Sequence, residues 1–252
     1  MSKALNQIYK VDPGIIYPES DGKPMADNTK QYQYIVMLHT GIDSHFAADP
    51  NVLVVADLLW YPVEGWPSIT CAPDVMVVFG RPKGHRRSYK QWAEGGIAPK
   101  VAIETLSPSN TKAEMEDKLE FYERYGVDEY IEYDPDRGTL KVWMRQGRKL
   151  SKAVFGREWK SPHLGITLKL EDNGELSAFH PDGRKFLTAV ELDALAQQTE
   201  YERARAEQEK ARAEQEKARA EQEKARAEQE KARAELLVAK LRELGIDPET
   251  LN

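Results

Sequence analysis

The chain has 252 residues, a formal net charge of −6 and a single cysteine, Cys71. One cysteine excludes an internal disulfide and points to a reducing, cytoplasmic setting. The acidic balance argues against a protein that coats nucleic acid through bulk charge, and no run approaches the ~20 apolar residues of a membrane helix.

Residues 1–9 lack the apolar core of a signal peptide. Composition changes sharply after about Leu187: aromatics, prolines and glycines lie mostly before it, and Ala, Glu, Gln, Lys and Arg dominate after it. This predicts one globular α/β domain over 1–187 and a charged helical tail over 188–252. Pro13, Gly14, Pro18, Gly22 and Pro24 mark an extended arm with turns over 1–27. Asp27, Asn28 and Thr29 then offer N-caps. Tyr32, Ile35, Val36, His39, Ile42 and Phe46 recur at helical spacing, so a helix over about 29–46 packs one face on a core. His39 on that stripe reads as a core or boundary residue. After the turn at Asp49-Pro50-Asn51, the apolar run 52–63 predicts one long strand. Asp57 interrupts it, either as a third acid near a site or as a bulge residue bonded to backbone.

The most informative stretch is 73–107. Pro73-Asp74-Val-Met-Val-Val-Phe79 and Lys100-Val-Ala-Ile-Glu104-Thr-Leu-Ser107 each read as a short buried strand with one acid. A buried carboxylate is costly unless a partner or metal satisfies it. If the strands pair, Asp74 and Glu104 converge, and a hard divalent cation such as Mg²⁺ relieves their repulsion. Between them lies a basic loop with Arg81, Lys83, Arg86, Arg87 and Lys90, beside Tyr89 and Trp92. It fits either nucleic-acid contact or a solvated loop.

Thr111 and Glu114 form a capping box for a second helix, which Gly126 ends. Met115, Leu119 and Tyr122 mark its buried face. Lys118 points the same way, toward an i,i+4 pair with Glu114 or toward Asp74 and Glu104. A strand over 128–133, a turn at Asp134–Gly138, its partner over 139–144 and further short strands to Phe186 follow. The tail repeats Ala-Glu-Gln-Glu-Lys-Ala-Arg four times without change over 206–233. Gln208 and Ala211, with their heptad equivalents, make a weak seam, so a solvated single helix and a loose dimer rod both fit. Leu236, Leu237, Leu241 and Leu244 give a more apolar end before Gly245 and Pro248.

Tyr17-Pro-Glu-Ser-Asp-Gly22, Asp57-Leu-Leu-Trp-Tyr-Pro62, Pro73-Asp74, Glu104-Thr-Leu-Ser-Pro108 and Tyr122-Glu-Arg-Tyr-Gly-Val-Asp-Glu-Tyr130 together resemble the Uma-two family of candidate restriction endonucleases, a branch of the PD-(D/E)XK nuclease superfamily. The resemblance covers about residues 12–190. It implies an α/β restriction-endonuclease-like αβββαβ core, here with extra β hairpins and followed by a long C-terminal helix. It implies Mg²⁺, or Mn²⁺, on Asp74 and Glu104, and metal-activated water attacking a DNA phosphodiester. The superfamily's lysine position, two residues after the second acid, is Leu106 here; Lys118 is the matching replacement. Ser107 and Asn110 are either phosphate contacts or turn and cap residues. The departure at Leu106 leaves a second expectation: a weak or inactive nuclease fold that binds nucleic acid or a partner protein, with the tail as an oligomerisation rod.

Overall fold

The computed structural model describes residues 14–243 and 245. The readings made on residues 1–13, Leu244 and Pro248 lie outside them. The chain divides between Ala189 and Val190 into two compact units.

The first unit contains α1 (Thr29–His45), β1 (Val52–Val55), β2 (Trp60–Tyr61), β3 (Val75–Phe79), β4 (Tyr89–Lys90), β5 (Val101–Thr105), α2 (Lys112–Tyr125), β6 (Glu129–Asp134), β7 (Thr139–Gln146), β8 (Lys149–Lys152), β9 (Glu158–Lys160), β10 (Thr167–Leu170) and β11 (Leu176–Phe179). Six strands form the main sheet in the order β1-β3-β5-β6-β7-β8. Only β5 and β6 run parallel, joined across α2; the other neighbours are antiparallel. In chain order the core is therefore α1, β1, β3, β5, α2, β6. The fold is mixed α/β with an αβββαβ core, extended by β7, β8 and a three-stranded sheet of β9, β10 and β11.

Strand alternation decides which face each residue buries. Val75, Val77, Val101, Ile103, Ile131 and Tyr133 pack with Ile35, Leu38 and Ile42 of α1. Their neighbours Met76, Val78, Ala102 and Tyr130 pack with Met115 and Tyr122 of α2 and with Trp60. Asn28 caps α1 by accepting the Gln31 N–H at 2.8 Å. Thr111 caps α2 by accepting the Glu114 N–H at 3.2 Å. Gly126 closes α2 at φ +103°, a conformation that favours glycine.

The long strand expected over 52–63 is corrected. β1 stops at Val55, Asp57 takes φ +48°, and β2 leaves the main sheet to pair in parallel with β4. Asp tolerates the left-handed region better than most residues. The turn is held because the Asp57 N–H donates to the carbonyls of Pro73 at 3.2 Å and Asp74 at 3.3 Å. This ties Asp57 to the start of β3.

The second unit is carried by α3 (Ala189–Glu243), a helix of 55 residues with no buried side chain. Among the described residues, no helix is long and apolar enough to cross a membrane.

Candidate acidic site

The antiparallel register of β3 and β5 pairs Val75 with Ile103 and Met76 with Ala102. One further step sets Asp74 across from Glu104, both on the α2 face of the sheet. The sequence alternation that buries Met76 and Ala102 thus aims both acids at α2.

Glu104 is only 2% exposed. Its Oε2 accepts a hydrogen bond from Lys118 Nζ at 2.8 Å. Its Oε1 accepts from the Tyr122 hydroxyl. Lys118 and Tyr122 lie four residues apart on α2, so they reach the same carboxylate side by side. Burial would lower the pKa of the Lys118 ammonium, but the Glu104 charge overrides it and holds it above that of an ordinary lysine. Burial likewise keeps the Tyr122 hydroxyl protonated and donating.

Asp74 is held differently. Its Oδ2 accepts the Thr105 N–H at 2.6 Å. Burial and then the charge of Glu104 push its carboxyl well above the usual carboxylate range; Lys118 offsets only part of this. Of the two central acids, Asp74 is therefore the one left short of positive charge. Behind them, Cys71 Sγ lies 3.4 Å from the Tyr122 hydroxyl. Burial, followed by Glu104, pushes the Cys71 thiol up to about 12, so it is an uncharged wall of the site rather than a nucleophile.

A cleft of about 620 Å³ opens over Asp74, Cys71 and Lys118, with Glu104 buried behind its wall. Asp21, Asp27, Asp57, Asp74, Glu114 and Asp117 line it, against only Lys23 and Lys118. Asp57 belongs to this cleft, and burial with the charges of Asp21 and Glu104 raises its carboxyl against the pull of Lys118. Asp27, read in the sequence only as a possible cap, accepts hydrogen bonds from Ser107 Oγ at 2.6 Å and from the Ser109 hydroxyl. Those bonds, Ser107 first, hold the Asp27 carboxyl below the usual range. Ser107 and Asn110 also close their own turn, the Ser107 N–H donating to Asn110 Oδ1 at 2.9 Å.

The structure brings Asp57, Asp74, Glu104 and Lys118 together. Lys118 pairs with Glu104 rather than Glu114. The basic loop is not brought to the acids: it leaves β3 at the end opposite Asp74, and none of its cations lines the cleft. Arg81 and Arg86 share Glu94 at 2.8 and 2.7 Å, Lys83 meets Asp43 at 2.5 Å, and Arg87 meets Glu19 at 2.6 Å. Lys90 sits over the Tyr17 ring, 4.9 Å from its centroid. The roles of Tyr122 and Asp27 escaped the sequence reading. Tyr122 carried a signal, its i,i+4 spacing from Lys118, but the same spacing marks it as core.

The donor set is all oxygen, which suits Mg²⁺ or Mn²⁺ better than a thiolate- or imidazole-seeking metal. Among the described residues, no three His, Cys, Asp or Glu side chains group as a ready metal centre. Mg²⁺ commonly uses one or two carboxylates and keeps its waters, so a site with fewer than three acidic ligands is compatible with it.

The family model described as "Uma2: Putative restriction endonuclease" matches residues 14–173. Among solved structures, the chain is similar to a crystal structure described as "a putative nuclease belonging to DUF820" from Anabaena variabilis. The identity is 18%, covering 57% of this chain and 77% of that one, with a TM-score of 0.44. No curated protein matches the chain.

Proposed function

Because the matched residues 14–173 make up more than half of the chain, the protein belongs to the family of putative restriction endonucleases, and on that premise we propose that it is a metal-dependent endonuclease that hydrolyses DNA phosphodiester bonds. The observation that carries this reading is the convergence of Asp74, Glu104 and Lys118 at one end of the β3–β5 pair.

Asp74 and Glu104 would hold Mg²⁺ or Mn²⁺. When bound, the ion lowers the pKa of a water and offsets charge developing on the phosphate. The protein's own part is positioning. Thr105 N–H anchors Asp74, and Tyr122 fixes the orientation of Glu104. Lys118 supplies a permanent positive charge beside the acids, placed to orient the attacking water and stabilise the charge that builds on phosphate oxygens. Asp57 is proposed as a further acid at the cleft. The acidic lining makes a metal-free cleft repel DNA, so substrate binding here depends on the cation. Arg81, Lys83, Arg86, Arg87 and Lys90 are proposed to contact the DNA backbone away from the reacting bond. The activity is assigned to residues 1–187, with 188–252 as a non-catalytic rod, and the single cysteine supports a cytoplasmic setting.

A second reading has its own support. Both oxygens of Glu104 already accept hydrogen bonds, and Leu106 occupies the usual lysine position. These favour a nuclease fold that binds nucleic acid or a partner without cutting. Incubating supercoiled plasmid with wild type and Glu104→Ala, in Mg²⁺ or Mn²⁺, separates the two. Nicking or linearisation by wild type alone supports the endonuclease. DNA binding that survives EDTA, with no cleavage product under any metal, supports the second reading instead.

A further inference from the structure

The tail helix carries a pattern more specific than a rod requires. Its heptad repeats without change over 206–233, yet no side chain of α3 is buried. A straight α-helix drifts by about 20° per heptad, so an exact period of seven keeps one stripe in line only when the helix coils around another. Ion pairs within the helix, such as Arg205 with Glu209, support a solvated helix too, but they need no straight stripe along its length.

The charges decide which stripe faces inward. With Gln208 and Ala211 and their heptad equivalents at the seam, Glu207 precedes the glutamine and Arg212 follows the alanine. In a parallel pair, Glu207 then faces Arg212 of the second copy, and Glu214, Glu221 and Glu228 face Arg219, Arg226 and Arg233 likewise. In an antiparallel pair the same positions set Glu against Glu and Arg against Arg, which disfavours that arrangement. The other alanine stripe, beginning at Ala206, would carry Glu209 into the seam with Lys210 and Arg212 on its flanks, which is repulsive in either direction. Leu195 and Leu237 each fall one position beside the chosen seam.

Identical repeats alone would let the two helices slip by whole heptads. Tyr201 and Leu236 stop this. They take the glutamine position at either end of the repeat, five heptads apart, and are 70% and 59% exposed on the single chain. Only at zero offset does each meet its own copy; a slip of one to four heptads sets one copy of each against glutamine.

We propose that α3 binds a second copy of this chain as a parallel, in-register, two-stranded coiled coil over residues 201–239. Both chains then enter the coil from the same end, and the dimer carries two acidic clefts. The seam of Gln and Ala buries little, so the dimer forms in a concentration-dependent way. The proposal does not depend on the nuclease reading.

The test uses the full chain. Sedimentation velocity of wild type across a concentration series is expected to show a monomer–dimer equilibrium. Oxidised Gln208→Cys and Ala232→Cys are each expected to give disulfide-linked dimers alone. Linkage only on mixing them would overturn the parallel orientation, because antiparallel helices over 201–239 place 208 opposite 232. A second pair of variants checks the charges. One replaces Arg212, Arg219 and Arg226 with Glu; the other replaces Glu207, Glu214 and Glu221 with Arg. Each alone is expected to raise the dimerisation midpoint by roughly tenfold or more, and mixing them to restore association. A wild type that stays monomeric throughout, a higher oligomer, or charge variants that dimerise like wild type would each overturn the proposal.

Discussion

Charge is handled in opposite ways by the α/β unit and the tail helix. In the first unit, Glu104, Glu129 and Glu132 are 2%, 0% and 4% exposed, and each is held by donors from elsewhere in the fold. Glu129 accepts from Trp159 Nε1 and Ser161 Oγ, both at 2.7 Å. Glu132 meets Lys141, and Glu104 meets Lys118 and Tyr122. In α3 the acids and bases are solvated, and Arg205 pairs with Glu209 of the same helix at 3.2 Å. A buried charge is costly to leave unpaired, whereas an exposed pair contributes little. The same residue types therefore carry large energies in one region and small ones in the other, and substitutions rank accordingly.

The largest effect is expected at Lys118. Lys118→Ala leaves the buried Glu104 without its cation, and removing one partner of such a pair costs about 3–5 kcal/mol. Urea unfolding in EDTA is expected to show that loss, with part of it recovered in Mg²⁺ because the metal replaces the missing charge. Cleavage, on the proposed function, is lost as well. A stability change under about 1 kcal/mol would show that Glu104 does not depend on Lys118.

Tyr122→Phe comes next. It deletes one donor to an anionic acceptor while keeping the ring, a change worth about 1.5–3 kcal/mol. Titration calorimetry is expected to show weaker Mn²⁺ binding too, because Glu104 is freer to turn. Unchanged metal affinity would make Tyr122 a purely structural residue.

Asp74→Asn is expected to have the opposite sign. The folded-state carboxyl is raised, so the native protein holds its proton more tightly than the unfolded chain does. Stability from this group is greatest at low pH and declines as pH rises from the unfolded carboxylate range through the raised folded value. Asn keeps an acceptor for the Thr105 N–H and carries no charge. The variant is expected to be more stable than wild type at neutral pH in EDTA, because it removes a charge that the fold holds at a cost. Its stability is also expected to vary less with pH and to gain nothing from Mg²⁺. A wild type whose stability rises with pH across that window would contradict the raised carboxyl.

The difference between the regions also marks what a sequence can reveal. Local periodicity placed α1 and α2, because that signal lies within a few residues; the convergence of Asp74 and Glu104 was an expectation that depended on their two strands pairing, and they do pair. Asp57 was legible as an interruption of the apolar run, but not the exit of β2 from the main sheet, because residues on both sides of the break are equally apolar. The partners of the basic loop were hidden for another reason. Asp43, Glu19 and Glu94 meet Lys83, Arg87 and the two arginines only after the chain folds back. Trp159 and Ser161 reach Glu129 from some thirty residues downstream, with no motif joining them. Long-range pairing of charge is tertiary information, and the acidic cleft is made mostly of it.

The smallest effects belong to the tail. Arg205→Ala removes an exposed i,i+4 pair worth about 0.3–0.5 kcal/mol to a helix. Ending the chain near Leu187 removes a helix that buries no side chain of its own. Hydrophobic stabilisation scales with the apolar area taken from water, so a helix that buries none adds little to the core of the first unit. The shortened protein is therefore expected to melt cooperatively at nearly the full-length temperature when both are measured at low concentration. Raising the concentration sharpens the comparison. A self-associating tail makes the full-length midpoint climb with concentration while the shortened one stays fixed, since only a species that binds the native state is stabilised by mass action. Loss of cooperative melting in the shortened protein would show that the fold of the first unit needs the tail.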